Sequence, residues 1–568
     1  MMRLNKFVLC GLLVVAAVLP DTLATAQAPG PGTMRRGPDG RLELVQPPAA
    51  APKPTEDEIR LPDPFAVELP AGAAQLAPDA APLRALLAAV NAGALTVTHD
   101  IRQPLAVGPH RITFNAWTGP ANSGAPHLTK SATLFVLPHG QTPVGVTGTD
   151  HALAGNNSVK IARDASGRVH MVWLDAGRPG QPSAVMYRRA TTDAAGAVTW
   201  EVAPQRLNDA RSEAGNAFVG LAVTGGAVHV IWQANGTIRY RRLRATAEGW
   251  TLEPIRDTGT RSEGGDVGPA MDAASDDEIH VIAPQGGYGL SKDGGLRWLR
   301  GNVPLGGMRS KATSIAVDRQ GNAHVAYSVL VRDPQRPSEQ RASDGYWEMR
   351  YVRRTVDGTW VDAQNVLAGY AQWATPSDGS DVLVDWIRLA VDAGGNLHAV
   401  WHGTANTRIY GNDEPFYIRR DAAGTNAWQS RWQTPLQIYK TDRVKERFAY
   451  APTFAFDGDA AVAVTFYEVM DRGHSAGFDS VARIIRRGVA DGAPLPLTRA
   501  VQAAVAAGKP ELALSTWFPA AAPRIYRAAD GRAWLDLLHD FQVDANTGAP
   551  DLIVYQRVDL TDVLGRGR

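Results

Sequence analysis

Five stretches of this chain repeat one another closely: IARDASGRVHMVW from Ile161, AVTGGAVHVIW from Ala222, AASDDEIHVIA from Ala273, AVDRQGNAHVAY from Ala316 and AVDAGGNLHAVW from Ala390. Two more worn copies follow, AFDGDAAVAVTF from Ala455 and RAADGRAWLDLL from Arg527. Each is an apolar strand, a tight turn and a second apolar strand. A unit of this size cannot bury both its faces alone, so it must pack against its own copies. Downstream of most copies runs a third strand with Tyr or Ile just ahead of Arg, as in VMYRRA, IRYRRL, MRYVRR, FYIRRD and ARIIRR. A further hairpin often ends in Trp, at Trp200, Trp250, Trp298, Trp360 and Trp428. Four strands per unit, spaced at roughly 45 to 75 residues, predict an all-β chain closed as a β-propeller, in which radial repetition leaves only short edges. Counting every copy gives seven blades; six blades plus extra strands is the alternative, because the last two copies are worn.

Between third and fourth strands, SKDGGLRW (Ser291–Trp298) sets a hydroxyl, a carboxylate, a glycine and a tryptophan in order. That order suits a turn whose Asp bonds backbone amides and whose Gly takes positive φ. Degenerate forms recur as TTDAAGAVTW, TVDGTW and RDAAGTNAW. The motif resembles the Asp box of the bacterial neuraminidase repeat, so the region 147–560 resembles sialidase-like propellers. That resemblance implies a carbohydrate-active protein. It says less about activity, because Asp boxes lie on the face away from the sialidase active site.

The 568-residue chain exceeds what one core supports, so other modules are expected. Residues 1–26 read as a signal peptide, with an apolar run too short to span a bilayer and the triplet Ala24, Thr25, Ala26 before the cut. Cys10, the only cysteine, lies inside it, so the exported chain carries no disulfide and is expected to be secreted or periplasmic, with no membrane span left. Residues 27–60, rich in Pro, Gly and Ala, read as a flexible tether. Residues 61–146 alternate as a small β-sandwich does. PLAVGPHRITFNAWTGPANSGAPHLTKSATLFVLP resembles the end of immunoglobulin-like modules of the hyalin-repeat type. Residues 561–568 form a tail. With 58 Lys plus Arg against 57 Asp plus Glu, bulk charge offers no grip on nucleic acid.

His170, His229, His280, His324 and His398 occupy one place in the repeat and therefore read as structural, as do Asp193, Asp293, Asp357 and Asp421. A site needs unlike groups converging where the symmetry breaks. The loops entering first strands and those joining second to third strands share one face. Ten residues before the His position stand Lys160, Arg388 and Arg524, expected to form an anion site at the central mouth or, equally, separate internal ion pairs. PRIY around Arg524 partly matches the Phe/Tyr-Arg-Ile-Pro element of sialidases. The long loop after Trp401 adds His402, Arg408 and Tyr410, and Asp385, Tyr450 and Glu468 fall on the same face.

The sialidase resemblance implies hydrolysis of an acidic glycan. Lys160, Arg388, Arg524, Arg408 and Tyr410 would then bind substrate, Tyr450 with Glu468 or Glu446 would attack, and Asp385 or Asp150 would serve as acid, with His402 beside them. A uronate lyase would use His151, His402 or Tyr410 for proton transfer instead. The third reading is a non-catalytic propeller of the cell envelope that binds glycan or protein. No cofactor is expected and no metal ligand is assigned; calcium binding stays open, because DGSDVLVD is oxygen-rich yet lacks a recognisable calcium-loop spacing.

Overall fold

A computed structural model describes residues 33–36, 42–45, 65–90, 96–117, 120–122, 124–149, 151–176, 183–193, 198–209, 217–246, 249–262, 267–308, 310–332, 345–368, 384–404, 413–422, 432–433, 435–442, 444–458, 460–508, 514–542 and 551–565. The expected signal peptide lies outside these. The chain divides into two units, 1–59 and 60–568. In the first, part of the stretch expected as tether forms an antiparallel hairpin of Thr33–Arg36 with Leu42–Val45.

The second unit is a β-propeller. Among the described residues seven antiparallel sheets of four main strands follow one another, here numbered first to seventh. Their inner strands begin at Ile161, Ala217, Ala270, Ser310, Val384, Glu446 and Ser515. Each inner strand touches the next, and the seventh touches the first, so the ring is closed. The outer strand of the seventh sheet, Gln141–Thr147, comes from ahead of the first sheet and pairs with Asp551–Asp559. Across the same seam Arg163 of the first inner strand grips Asp536 of the seventh sheet with two hydrogen bonds, Nε to Oδ2 at 2.5 Å and Nη2 to Oδ1 at 2.8 Å.

The stretch 61–146 therefore gives its last strand to the ring. Its other strands form one sheet, ordered Phe65–Glu68, Leu128–Leu137, Gly108–Trp117, Thr96–His99, with the helix Ala81–Val90 against it. A second sheet of a sandwich is not among the described residues. Phe135 and Leu137 share a core with Leu514, Phe541, Leu552 and Val554, which fuses this sheet to the seventh. Among the described residues no helix is long and apolar enough to cross a membrane.

The repeated residues form one lock in each of the first five sheets. His170, His229, His280, His324 and His398 are buried, and each places Nδ1 2.7–2.8 Å from the phenol of Tyr187, Tyr240, Tyr288, Tyr351 or Tyr417 on the neighbouring strand. In four of them Nε2 meets a turn carboxylate, that of Asp164, Glu278, Asp318 or Asp392. Burial lowers the proton affinity of His170, His324 and His398. A neutral ring has one N–H, so Nε2–H donates to the carboxylate and Nδ1 accepts from the phenol. The next sheet then seals the lock with an aromatic ring: Trp250 on His170, Trp298 on Tyr240, Trp360 on Tyr288, Trp432 on Tyr351 and Phe456 on His398. Trp432 takes the place expected of Trp428, which lies outside the described residues.

SKDGGLRW folds as its residues require. Ser291 Oγ donates to Asp293 Oδ1 and accepts from Gly295 N, Asp293 Oδ1 accepts from Arg297 N, and Trp298 Nε1 donates to Gly295 O. Gly295 has φ +86°, and a Cβ there would lie 2.1 Å from the Tyr240 ring. Gly295→Ala should therefore cost roughly 2–4 kcal/mol. Gly301→Ala, where a Cβ meets nothing within 4 Å, should change stability by under about 0.5 kcal/mol. Equal urea midpoints for the two variants would contradict this account.

Burial also sets a pH limit. His229 and His539 are held down to about 4, by burial first, with Arg242's charge adding to it at His229. The unfolded chain takes up these protons below about 6.5. The stability from neutral imidazole is thus complete above that pH and is lost as pH falls toward 4, by roughly 3 kcal/mol per histidine. The urea midpoint should fall between pH 7 and pH 4.5; a flat profile would refute the linkage.

Candidate functional site

One face of the ring carries the tight turns and the locks; the other carries the loops that enter inner strands. On this second face, five inner strands slip register: between Ala217 and Val219, Ser310 and Thr313, Asp385 and Arg388, Arg447 and Ala449 and again Tyr450 and Thr453, and Trp517 and Ala520. The residues set out of register include Phe218, Trp386, Phe448, Ala451 and Phe518, at φ +48°, +53°, +40°, +40° and +38°. Left-handed backbone is costly for side chains of this size, and bulges that hold it re-aim side chains near sites.

The bulges build an aromatic shelf over the fifth, sixth and seventh sheets. Trp386 stacks on Phe518 at 5.1 Å and on His402 at 6.1 Å, and His402 meets Tyr450 edge-on at 5.6 Å. Tyr450 also touches Phe448 at 5.4 Å and Phe466 at 5.6 Å, and Phe478 and Trp517 pack at 4.3 Å. Trp386, Tyr450 and Trp517 remain partly exposed, whereas His402 is buried behind them. His151, exposed, packs on Phe518 at 5.5 Å.

The hub beneath is filled by the chain itself. The segment just ahead of the first inner strand, Ala152–Ser158, is buried among the inner strands. Asn156 Nδ2 donates to the carbonyls of Trp386 and Pro452 at 2.6 Å each, and Asn157 Nδ2 to those of Gly268 (2.6 Å) and Thr313 (2.9 Å). Ser158 Oγ donates to Pro269 O and Ser314 Oγ to Asn157 O. One short polar segment thus satisfies carbonyls of four sheets.

Burial changes what two of the expected anion-binding residues can do. Lys160 is buried, and its ammonium donates to Gly155 O and Ser158 O of the plug. Burial, then Arg388's charge, pushes its pKa well below the usual lysine value. Arg388 is buried too, donates to Thr453 Oγ1 and is lowered to about 10 by burial, opposed by Asp272. Arg524 stands apart, exposed, at the far end of the sixth inner strand from Tyr450. Its strand bulges over Ala522–Ile525: Ala522 takes the rung opposite Asp536, and the bulge bonds Phe456 instead. The three cations of the expected mouth site therefore do not converge.

Among the expected catalytic residues, Tyr450 and His402 come together on the shelf. Glu468 shares the sheet face of Tyr450, two residues beyond its partner Phe466, and is buried with no hydrogen-bond partner for Oε2 among the described residues. Glu446 is engaged elsewhere, accepting from Tyr439 OH at 2.8 Å and Gln502 Nε2 at 3.0 Å. Asp385 pairs through its backbone with His402. Arg408, Tyr410 and Asp150 lie outside the described residues.

Sequence reading passed over Arg447, which is exposed and rests its guanidinium 4.2 Å over the Phe448 ring. Beside it, Asp442 Oδ1 accepts from the amides of Val444 and Lys445 at 2.8 Å each, which fixes the turn presenting exposed Lys445. Arg472, 92 % exposed, tips the adjoining hairpin. Among the described residues no group of three or more His, Cys, Asp or Glu is placed to hold a metal ion.

No family profile matches the chain, and no curated protein matches its sequence. Among solved structures it is similar to an ulvan lyase of a polysaccharide lyase family, at 12% identity and a TM-score of 0.45 over 75% of this chain and 98% of that one. It is similar to the endosialidase of phage phi92, at 10% identity and a TM-score of 0.39 over 78% and 72% of the two chains. The α-L-arabinanase of Penicillium chrysogenum is similar at 10% identity and a TM-score of 0.36, over 74% and 98%.

Proposed function

We propose that the protein binds an acidic glycan on the aromatic shelf and cleaves it by β-elimination at a uronate, with Tyr450 as the proton-transfer residue. The observation that carries this reading is the shelf itself: partly exposed Trp386, Trp517 and Tyr450, held by strained bulges around one mouth. Flat aromatic faces suit the apolar C–H faces of sugar rings, and aromatic lining with few polar groups is the ordinary make-up of a ligand site.

Elimination needs a cation on the uronate carboxylate and a base at the neighbouring carbon. Arg447, stacked on Phe448 next to Tyr450, keeps its N–H edges open to a carboxylate. Tyr450 as phenolate takes the proton at C5; that electron pair forms the C4–C5 double bond as the C4–O bond breaks. The phenol then returns the proton to the departing oxygen, so none is consumed. His402, buried edge-on to Tyr450, orients the phenol ring, and Lys445 and Arg472 extend the positive rim. A sialidase-type hydrolysis finds less support, because Lys160 and Arg388 are buried, Lys160 against the plug, and Arg524 is remote.

The test is ultraviolet absorbance of unsaturated uronate during incubation with polygalacturonate, alginate and glucuronan, alongside titration calorimetry. Tyr450→Phe should lower turnover by roughly a hundredfold to ten-thousandfold while leaving affinity near wild type. Arg447→Ala should weaken affinity about tenfold. Binding with no absorbance change on any polymer would overturn the lyase assignment, and Tyr450→Phe turning over at the wild-type rate would remove Tyr450 from it.

A further inference from the structure

The bulges that hold Trp386 and Phe518 have a counterpart on another side of the mouth. Phe218 stands at the register slip of the second inner strand, at φ +48°, and is partly exposed. Two glycines make room for it. A Cβ at Gly268 would lie 2.0 Å from Phe218 Cβ, and one at Gly155 would lie 3.3 Å from Phe218 Cδ1. Gly155 belongs to the plug, and the next residue, Asn156, bonds the carbonyl of Trp386. Phe218 and Trp386 therefore flank the same crest of the plug, from the second sheet and the fifth. Both pack, with Tyr450 and Trp517, on one apolar cluster that includes plug residues Ala152, Leu153 and Ala154.

We propose that Phe218 is a distal stacking subsite, so that the site takes an extended glycan chain lying across the mouth rather than a terminal sugar. This rests on the reading of the shelf as a glycan site. A single sugar at Tyr450 occupies the shelf alone and gains nothing from a ring beyond the plug. A chain long enough to cross the plug reaches a second aromatic face, held in place before the ligand arrives and so ordered at little further cost. The backbone strain supports the assignment: an aromatic in left-handed backbone persists only where its surroundings impose it, and here the surroundings aim it at the mouth. Partly exposed left-handed aromatics at the slips of the second, fifth and sixth sheets, Phe218, Trp386 and Phe448, mark stations along one path. The plug closes the channel beneath, so the chain passes over the hub and not through it.

The experiment is titration calorimetry of the full chain with a disaccharide, a tetrasaccharide and a hexasaccharide prepared from each of polygalacturonate, alginate and glucuronan. Wild type should bind the hexasaccharide about tenfold more tightly than the disaccharide. Phe218→Ala should lose that preference and leave disaccharide affinity unchanged, whereas Trp386→Ala should weaken all lengths. Phe218→Leu, which keeps apolar bulk in the gap beside Gly268 without the flat face, should behave like Phe218→Ala and guards against a folding defect. Phe218→Tyr should restore the preference. Hexasaccharide binding by Phe218→Leu at the wild-type level would overturn the subsite, as would equal loss for short and long ligands. Failure of wild type to bind any length would overturn the shelf reading itself, and the subsite with it.

Discussion

Seven sheets can each bury two faces only if the last meets the first. Closure is therefore the constraint from which the rest follows, and two interactions secure it: the ladder between Gln141–Thr147 and Asp551–Asp559, and the buried grip of Arg163 on Asp536. Without them the outer faces of the first and seventh sheets would meet water, and the carbonyls that the plug satisfies would separate. Breaking a buried ion pair from one side is costly because the remaining charge has nowhere to go. The seam is thus built from the residues least able to tolerate its opening.

The two faces of the ring divide the work. On the tight-turn face, His, Tyr and a turn carboxylate satisfy one another, and the next sheet's aromatic seals them, so polar groups are spent on rigidity. On the opposite face the inner strands slip register and their aromatics turn outward. Rigidity below is what allows strain above: a bulge with left-handed Trp386 would relax in a loose strand.

The fold was legible because periodicity survives divergence. A strand–turn–strand repeated with its His and Trp in place leaves few architectures open. The site was legible in part. Tyr450 and His402 could be found because the loops of one face must converge on the hub. Trp386, Phe448 and Phe518 escaped because a register slip leaves no mark in the alternation of apolar and polar residues. Lys160 and Arg388 suggested an open anion site because the plug belongs to no repeat, so nothing warned that both would be buried, with Lys160 bonded to the carbonyls of Gly155 and Ser158. Arg524 was displaced by a bulge over Ala522–Ile525, which counting back along the repeat cannot foresee.

The closing strand is made early, and its partner leaves the ribosome about 400 residues later. Gln141–Thr147 must wait, edge bare, until Asp551–Asp559 has been synthesised. During that delay the strand is open to mispairing with any other nascent edge. The sheet just ahead of it, through Glu68 bonding Gly140 and Thr142, gives the waiting strand a shelter of its own.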